Sequence, residues 1–312
     1  MKFLILGAGG IGSYFGARLL QADNEVVFVA RGKHLEALQQ SGLKLQHPEF
    51  NYNHTVFSNT LEEIIKLNSF SYDAVIITTK STSTPKLAEQ LQKWFANYEK
   101  TPYILSLQNG VENEEILLEY FNPEYIIGGL TRKIGAHIVS PSYIQAVGNA
   151  ETIIGFIDKT KENTNFLKKL QTTFNNAQIP TYISENIHLE LWKKLIINNG
   201  INAICALLKV KTGIIMNHNK LNKIVYGLMV ETSIAAKNKG IVISQDDVDE
   251  MYELISKFDS IKPSMLVDRE FNRVLELDDI CGVVIRNCEE QNLDAPYTRT
   301  ISTLLEYLYT KE

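Results

Sequence analysis

The stretch FLILGAGGIGSYFGARLL, Phe3 to Leu20, decides the fold of this 312-residue chain. It places Gly7-x-Gly9-x-x-Gly12 directly after a strand-like apolar run and at the start of a helical pattern. In such a turn the first glycine permits a tight bend, the second lets backbone approach a pyrophosphate, and the third lets helix and strand pack closely. The free N–H groups at the helix N-terminus then favour phosphate. The motif therefore predicts a dinucleotide-binding site at Gly7, Gly9 and Gly12.

The order of predicted elements extends this fold over the chain. Short β-rich runs alternate with helical patterns up to about residue 182, which is the pattern of a parallel doubly wound sheet. Later strand-like runs, among them HIVSPSYIQAV, predict antiparallel additions near its edge. Beyond that point only helical patterns follow, over 184–209, 218–239, 245–258, 267–291 and 297–310. The sequence predicts an α/β protein, with a Rossmann-type doubly wound domain over 1–182 and an all-helical domain over 183–312.

Three local signals set helix ends in the predicted helical domain. Ser244-Gln-Asp-Asp247 has the spacing of a capping box at a helix N-terminus. Gly240 is typical of the residue that ends a helix, and Pro296 of a first-turn proline.

Composition excludes several classes of function. Hydrophobic residues make up 45% of the chain and charged residues 21%, and a net charge of −5 provides no basic patch for nucleic acid or an anionic membrane surface. No apolar run reaches the ~18–20 residues of a membrane-spanning helix. The strand-like start leaves no room for a signal peptide, and the three cysteines lack a disulfide framework, so we expect a cytoplasmic protein. Six scattered histidines show no metal-ligand spacing, which predicts no metal site.

The ends of the predicted strands indicate where a cofactor binds, because ligands of open α/β sheets bind outside the carboxyl ends of the strands. Arg31 follows the second strand, with Lys33 close by. An acidic residue there would suit the ribose 2′-hydroxyl of NAD, whereas an arginine accommodates the 2′-phosphate of NADP. NADP is therefore favoured, the alternative being two ordinary loop cations. Lys80 and Asn109 end two further strands near the expected nicotinamide, although Asn109 followed by Gly110 is also a routine turn signal.

A polar row interrupts an otherwise apolar helix. In LWKKLIINNGINAI, Leu191 to Ile204, the residues Lys194, Asn198 and Asn202 recur every four positions and share one helix face. Ile and Leu side chains border the row on both sides. Such a row suits either a solvated stripe or a site in which a lysine and two amides contact a polar ligand.

Taken in order, these motifs resemble those of the ketopantoate reductases, or 2-dehydropantoate 2-reductases, over essentially the whole chain. The matching features are GAGGIG, Arg31 after the second strand, TTK ending in Lys80, and QNG containing Asn109. They continue with WKKLIINNGIN and with KPSML, in which Ser264 is followed twelve residues later by Glu276. The resemblance implies a Rossmann domain and a helical domain around a cleft. It also implies NADPH-dependent reduction of 2-dehydropantoate to pantoate, on the route to pantothenate and coenzyme A.

The resemblance also assigns roles to individual residues. It makes Lys194 the catalytic lysine, which would act as general acid toward the reduced carbonyl oxygen. It makes Glu276 the cleft glutamate, on a predicted helix face with Ile280 and Val283, where it would orient Lys194 or accept a hydrogen bond from a substrate hydroxyl. Polar side chains are assigned to the small 2-oxo acid substrate: Asn109, Asn198, Asn202 and Ser264. The alternatives are a helix N-cap for Ser264 and an exposed helix acid for Glu276.

Two departures from the family pattern bear on substrate choice. The family often has a glutamine three residues after the lysine of TTK, where this chain has Ser83. The segment from Thr131 to Val147 is unlike that of many members. Alternatives to ketopantoate reduction are another 2-oxo acid as substrate, a related dehydrogenase of the 3-hydroxy-acid or opine type, and a non-catalytic NADP(H) sensor. The oligomeric state stays open, with a homodimer among the assemblies considered.

Overall fold

A computed structural model describes residues 1–67, 71–158, 163–257 and 261–309. Its contacts divide the chain into two compact units. The first unit comprises Met1–Gln108 and Asn113–Ile187, and the second comprises Asn109–Glu112 and His188–Glu312. The four residues Asn109–Glu112 therefore group with the helical unit, although the chain on either side of them belongs to the first.

An eight-stranded sheet forms the centre of the first unit. Its strands, in chain order, are β1 (Lys2–Leu6), β2 (Glu25–Val29), β5 (Phe57–Asn59), β6 (Ala74–Ile77), β7 (Tyr103–Ser106), β8 (Ile126–Arg132), β11 (Glu151–Phe156) and β12 (Thr181–Ile183). Their order in the sheet is β12-β11-β8-β7-β6-β1-β2-β5. The run from β5 to β8 is parallel and has the Rossmann order, with its switch point between β1 and β6. The predicted doubly wound sheet is confirmed.

A second, four-stranded sheet belongs to the same unit. Its strands are β3 (Leu43–His47), β4 (Phe50–His54), β9 (Gly135–Ser140) and β10 (Tyr143–Val147), in the order β4-β3-β10-β9. The sequence HIVSPSYIQAV, expected near the edge of the main sheet, forms most of the antiparallel hairpin β9–β10 of this separate sheet instead. In the main sheet β11 pairs antiparallel with β8, and β12 runs parallel to β11 at the edge.

Helices cover both faces of the main sheet. They are α1 (Gly10–Gln21), α2 (Gly32–Ser41), α3 (Leu61–Lys66), α4 (Thr84–Phe95), α5 (Asn113–Leu118) and α6 (Thr164–Asn176). Side chains of a strand alternate between its faces, so Phe3 and Ile5 enter one apolar core while Leu4 and Leu6 enter the other. Because all four are fully buried, β1 is the centre of the unit.

The second unit contains helices and no strand among the residues that the structure describes. They are α7 (Ile187–Leu208), α8 (Thr212–Met216), α9 (Leu221–Asn238), α10 (Gln245–Ser256), α11 (Ser264–Glu270), α12 (Val283–Glu289) and α13 (Pro296–Tyr309). The capping box of Ser244 and Asp247 is present in both directions, and Gly240 lies in the left-handed region just beyond α9. Pro296 begins α13, as predicted. Positions 258 and 310, predicted at the ends of helices, lie outside the described residues.

The single helix predicted over 267–291 is wrong. The helix α11 ends at Glu270, and Asn272 then takes a left-handed φ of 51°. The Asn272 N–H donates to the Arg269 carbonyl at 3.2 Å, and the Arg273 N–H donates to the Asp268 carbonyl at 2.8 Å, which closes the helix end. Helical structure resumes as a π-helical turn, Asp278–Gly282, that continues into α12. Glu276 therefore lies before this turn rather than on a helix face.

No helix in the described parts of the chain is long and apolar enough to cross a membrane.

Cys205, Cys281 and Cys288 are all free thiols and buried. Burial raises the pKa of Cys205 and Cys281 to about 12 and that of Cys288 to about 11. The three thiols are therefore protonated at neutral pH and serve as apolar packing.

Candidate functional site

The glycine-rich loop after β1 has the geometry that a dinucleotide phosphate requires. Gly7 has a φ of +104°, a conformation that side chains disfavour. A Cβ at Gly12 would lie 2.1 Å from the Gly7 carbonyl oxygen and 2.5 Å from the Thr78 hydroxyl, so only glycine permits this approach of α1 to the sheet. A Cβ at Gly9, in contrast, would meet nothing within 4 Å. The loop is thus closed on the side of the sheet and open at its middle glycine.

The first N–H groups of α1 are available to an anion. Gly9 is the N-cap residue, and it makes no side-chain cap hydrogen bond. The N–H groups of Gly7 and Ala8 donate to the Val29 carbonyl at 3.1 and 3.0 Å, whereas the Gly9 N–H has no acceptor within the described ranges. Unsatisfied N–H groups and the helix dipole favour a phosphate at this position. The loop therefore fits the pyrophosphate of a dinucleotide.

Two predicted cofactor residues lie after the ends of β2 and β6, the strands on either side of β1 in the first unit. Arg31 follows β2 as the exposed N-cap residue of α2, and no described residue makes a hydrogen bond or ion pair with its side chain. Lys80 follows β6 and is half-buried as the residue that precedes the short helical turn Ser81–Ser83. Ser83, where the family often has glutamine, donates its hydroxyl to the Lys80 carbonyl at 2.7 Å. Its side chain thus stabilises the turn that carries Lys80.

The polar row of α7 contains two asparagines whose amides the fold does not use. Lys194 and Asn198 are half-buried, and Asn202 is only 4% exposed. Neither Asn198 nor Asn202 makes a side-chain hydrogen bond with another described residue. Asn199, the neighbour of Asn198, is fully buried, and its amide donates to the Leu228 carbonyl and to two threonine hydroxyls, all at 3.0–3.1 Å.

The buried Oδ1 of Asn199 has no partner among the described residues, but the three contacts of its nitrogen give this asparagine a structural role. Asn199 connects helices of the second unit. Asn198 and Asn202 keep donor and acceptor groups for a ligand.

Asn109 and Glu276 are brought together, although they are 167 positions apart in sequence. The Asn109 amide donates to Glu276 Oε2 at 3.1 Å, and Glu276 is 8% exposed. Asn109 is the one hydrogen-bond partner of the Glu276 carboxylate among the described residues. The Glu276 backbone carbonyl accepts the Ile280 N–H at 3.2 Å. Glu276 therefore lies at the start of the helical turn that follows.

An ion-pair bridge holds the 109–112 segment to the same part of the second unit. Arg286 on α12 donates to Glu112 at 2.8 Å and to Asp278 of the π-helical turn at 2.5 Å. The segment that presents Asn109 is therefore anchored at its other end through Glu112. Sequence reasoning did not find this anchor, since Glu112 and Arg286 are separated by 174 positions.

Asp279 is a second acid that sequence reasoning missed. Burial raises the pKa of Asp279 to about 6, helped by the negative charges of Glu276, Asp278 and Glu112. One of its carboxyl oxygens is buried and has no hydrogen-bond partner among the described residues. A half-buried acid with a raised pKa beside a predicted site residue is typical of functional sites. Its neighbour Asp278 is exposed, and no local pattern distinguishes the two in the sequence.

Ser264 is the first helical residue of α11, and the N-cap residue is Pro263. The Ser264 side chain makes no cap hydrogen bond and is exposed. The N-cap alternative is therefore wrong, and the hydroxyl remains available to a ligand.

Substitution of Asp279 tests its protonation. Because its pKa is raised above the ordinary value of 3.8, Asp279 adds most to stability below pH 4, and this contribution is lost as pH rises through about 6. Asp279→Asn should therefore gain stability relative to the parent between pH 4 and pH 7. We expect a gain of about 1–2 kcal/mol in the free energy of unfolding. This is less than the full pKa shift would give at ~1.4 kcal/mol per pKa unit, because solvent screens a half-buried group. Urea unfolding at several pH values measures this difference in stability between the variant and the parent.

Asp294→Asn is the control, because the pKa of Asp294 is shifted in the opposite direction from that of Asp279. The Arg299 guanidinium and the Ala295 N–H hold the pKa of Asp294 below its usual value. Its stabilising contribution is present at neutral pH and is lost as pH falls through its lowered pKa. A parallel pH response of the two variants would contradict the assignment of Asp279.

Models of a known family match both halves of the chain. The model described as "Ketopantoate reductase PanE/ApbA" matches residues 3–159, and the model "Ketopantoate reductase PanE/ApbA C terminal" matches residues 186–308. A 2-dehydropantoate 2-reductase of Pyrococcus abyssi is 32% identical over 297 residues, which cover 95% of this chain and 94% of the relative.

Solved structures agree with this assignment. A 2-dehydropantoate 2-reductase from Geobacter metallireducens GS-15 aligns with a TM-score of 0.87 and 27% identity, covering 99% of this chain and 100% of that one. D-mandelate dehydrogenase, solved with NADH and anilino(oxo)acetate, aligns with a TM-score of 0.90 and 24% identity over 100% of this chain and 99% of that one, and so shares the fold. Membership of the matched family indicates a nicotinamide cofactor and a small keto acid substrate. The chain belongs to the ketopantoate reductase family and is an oxidoreductase.

Proposed function

We propose that this chain uses NADPH to reduce 2-dehydropantoate to pantoate in the cytoplasm, with Lys194 as the general acid. The observation that carries the proposal is the polar row on α7. Asn202 is almost fully buried, yet its amide makes no hydrogen bond to another described residue, while the Asn199 side-chain nitrogen donates to three groups of the fold. A hydrogen bond from this amide to a substrate oxygen would contribute about 0.5–1.5 kcal/mol to binding.

The row suits a 2-oxo acid. A bound nicotinamide supplies the hydride that reaches the carbonyl carbon, and negative charge then develops on the carbonyl oxygen. Lys194 donates a proton to that oxygen as its C=O double bond becomes a C–O single bond, which yields the alcohol and a neutral amine. The amides of Asn198 and Asn202 hold the substrate oxygens, since an amide both donates and accepts without adding charge beside the lysine.

Glu276 and Ser264 complete the proposed substrate site. Glu276 already accepts from Asn109 through Oε2, and its other oxygen, which has no partner among the described residues, would accept from a substrate hydroxyl. Ser264, exposed at the start of α11, would donate its hydroxyl to the substrate carboxylate. Asn109 thus contributes to the proposed substrate site through its hydrogen bond to Glu276.

A panel of 2-oxo acids tests the substrate. We expect NADPH oxidation, followed by nicotinamide absorbance, to be fastest with 2-dehydropantoate and slower with pyruvate and phenylglyoxylate. Preference for a different 2-oxo acid would retain the reaction class and reject the named substrate. Binding of NADPH without oxidation by any member of the panel would instead support a sensor.

Arg31→Ala tests the cofactor preference. If Arg31 holds the 2′-phosphate, its removal costs a charge-assisted hydrogen bond of about 1.5–3 kcal/mol. The dissociation constant of NADPH should then rise roughly 10- to 100-fold, while that of NADH changes little. Fluorescence titration measures both constants. Arg132→Ala is the control, since Arg132 belongs to the same unit and pairs with Glu151; equal weakening of both cofactors by Arg31→Ala would reject the assignment.

Lys194→Ala tests the general acid, and its neighbour provides a matched control. We expect turnover to fall about 10²–10⁴-fold while NADPH still binds. The decline of the parent rate at high pH, where the amine has lost its proton, should disappear in the variant. Lys193 pairs with Asp247 at 2.6 Å and with Glu250 at 3.5 Å. Lys193→Ala should therefore lose some stability and keep its turnover, and near-parental turnover of Lys194→Ala would mean that the proton comes from another group.

A further inference from the structure

The carbonyl group of Ala8, in the middle of the glycine-rich loop, accepts two side-chain hydrogen bonds. The Ser13 hydroxyl donates to it at 2.9 Å from within α1. His34, near the start of α2, approaches it with Nε2 at 2.7 Å. The His34 donor therefore comes from outside the loop and its helix, and it connects the loop to the end of β2.

The bonding of the other ring nitrogen fixes which nitrogen of His34 carries the proton. The Ser142 backbone N–H donates to His34 Nδ1 at 3.1 Å. Nδ1 is therefore an acceptor without a proton, so Nε2 carries the proton and donates to the Ala8 carbonyl. Ser142 lies in the turn between β9 and β10, with a left-handed φ of 59° and 8% exposure. The imidazole is thus held in one tautomer by backbone on both sides.

The direction of the Ala8 carbonyl determines the direction of the next N–H. In a planar trans peptide the C=O and the following N–H point in opposite directions, and the described chain contains no cis peptide bond. With the Ala8 carbonyl turned toward His34 and Ser13, the Gly9 N–H points away from them. That N–H has no acceptor among the described residues, and the space beside Gly9 is open.

We propose that His34 is a positioning residue for the cofactor: as the neutral Nε2–H tautomer it fixes the Ala8–Gly9 peptide so that the Gly9 N–H points at the dinucleotide phosphate. The inference rests on the proposed cofactor site at the glycine-rich loop. It concerns a residue that acts through the Ala8 carbonyl.

The charge state of His34 follows from its surroundings. Burial lowers the pKa of His34, and the bond to the Ala8 carbonyl opposes this shift only in part. The groups that face it from other elements are the Ala8 carbonyl and the Ser142 amide. The loop 7–13 and the turn 140–142 contain no charged side chain, and the cations of its own segment are Arg31 and Lys33. Protonation of Nδ1 would place its N–H opposite the Ser142 N–H. Two donors would then face each other, and the hydrogen bond with Ser142 would be lost.

Two substitutions separate the hydrogen bond from the ring. His34→Phe keeps an aromatic ring but has no donor, whereas His34→Gln keeps an N–H donor and does not titrate. We expect His34→Phe to raise the dissociation constant of NADPH about three- to ten-fold, the usual net effect of one hydrogen bond. His34→Gln should stay within about two-fold of the parent. Fluorescence titration measures binding without turnover, and thermal melting checks the fold.

His47 is a matched control in the same unit. Its Nε2 lies 2.7 Å from the Gly148 carbonyl, and its Nδ1 accepts the Glu49 N–H at 3.2 Å, so it repeats the bonding of His34 away from the loop. His47→Phe should lower the melting temperature and leave cofactor affinity unchanged. A pH series on the parent should show affinity falling as His34 becomes protonated, and this component should be missing in His34→Gln.

The outcomes are distinct. Weaker binding by His34→Phe alone, with rescue in His34→Gln, supports the proposal. Equal affinities of the parent and His34→Phe, or an equal loss in His47→Phe, overturn it while leaving the cofactor site intact. A parent protein that binds no dinucleotide overturns the cofactor site and the role of His34 together.

Discussion

The close approach of α1 to the end of β1 is the constraint on which the first unit depends. The Thr78 hydroxyl donates to the Gly7 carbonyl at 2.7 Å and lies 2.5 Å from the position that a Cβ at Gly12 would take. Any larger residue at position 12 would push the helix off the sheet at its switch point. This packing explains why the motif requires glycine, and it also leaves the N-terminus of α1 facing a space that a phosphate can occupy.

In the second unit, a chain of buried hydrogen bonds connects the helices without using the polar row of α7. Asn199 donates to the Thr298 hydroxyl, which in turn donates to the Glu231 carboxylate. Glu231 also accepts the N–H groups of Tyr297 and Thr298 and so caps α13. Three helices, α7, α9 and α13, are therefore connected through Asn199, which is one position away from the polar row. Because 3.6 residues make one helical turn, the residue next to Asn198 points toward the core, while Asn198 itself lies on a different face.

Local sequence patterns predicted those features of the fold that neighbouring residues determine. The glycine motif, the alternation of strands and helices and the capping box of Ser244 depend on residues close in sequence, and each was found as predicted. The pairing of Asn109 with Glu276 joins residues 167 positions apart, so no local pattern could predict it. The roles of His34 and Asp279 could not be read from the sequence, because they depend on neighbours 26 residues away at Ala8 in the first case and on a group of acids gathered by folding in the second. The predicted helix over 267–291 failed because its apolar pattern continues through a segment in which the left-handed Asn272 ends the helix.

That interruption has a consequence for the site. Where a continuous helix would have directed Glu276 along a helix face, the break leaves its carboxylate before the π-helical turn, where it accepts from Asn109. A Cβ at Gly282 would lie 2.2 Å from Asp278 Oδ1 and 3.0 Å from Arg286 Nη1, so a side chain there would displace the pair that these two residues form. The pair between Asp278 and Arg286 therefore passes over a position without a side chain, and Arg286 reaches Glu112 at the same time. A π-helical turn of this kind is frequent at functional sites, and here it gathers the acid that contacts Asn109 and the ion pair that anchors the segment carrying it.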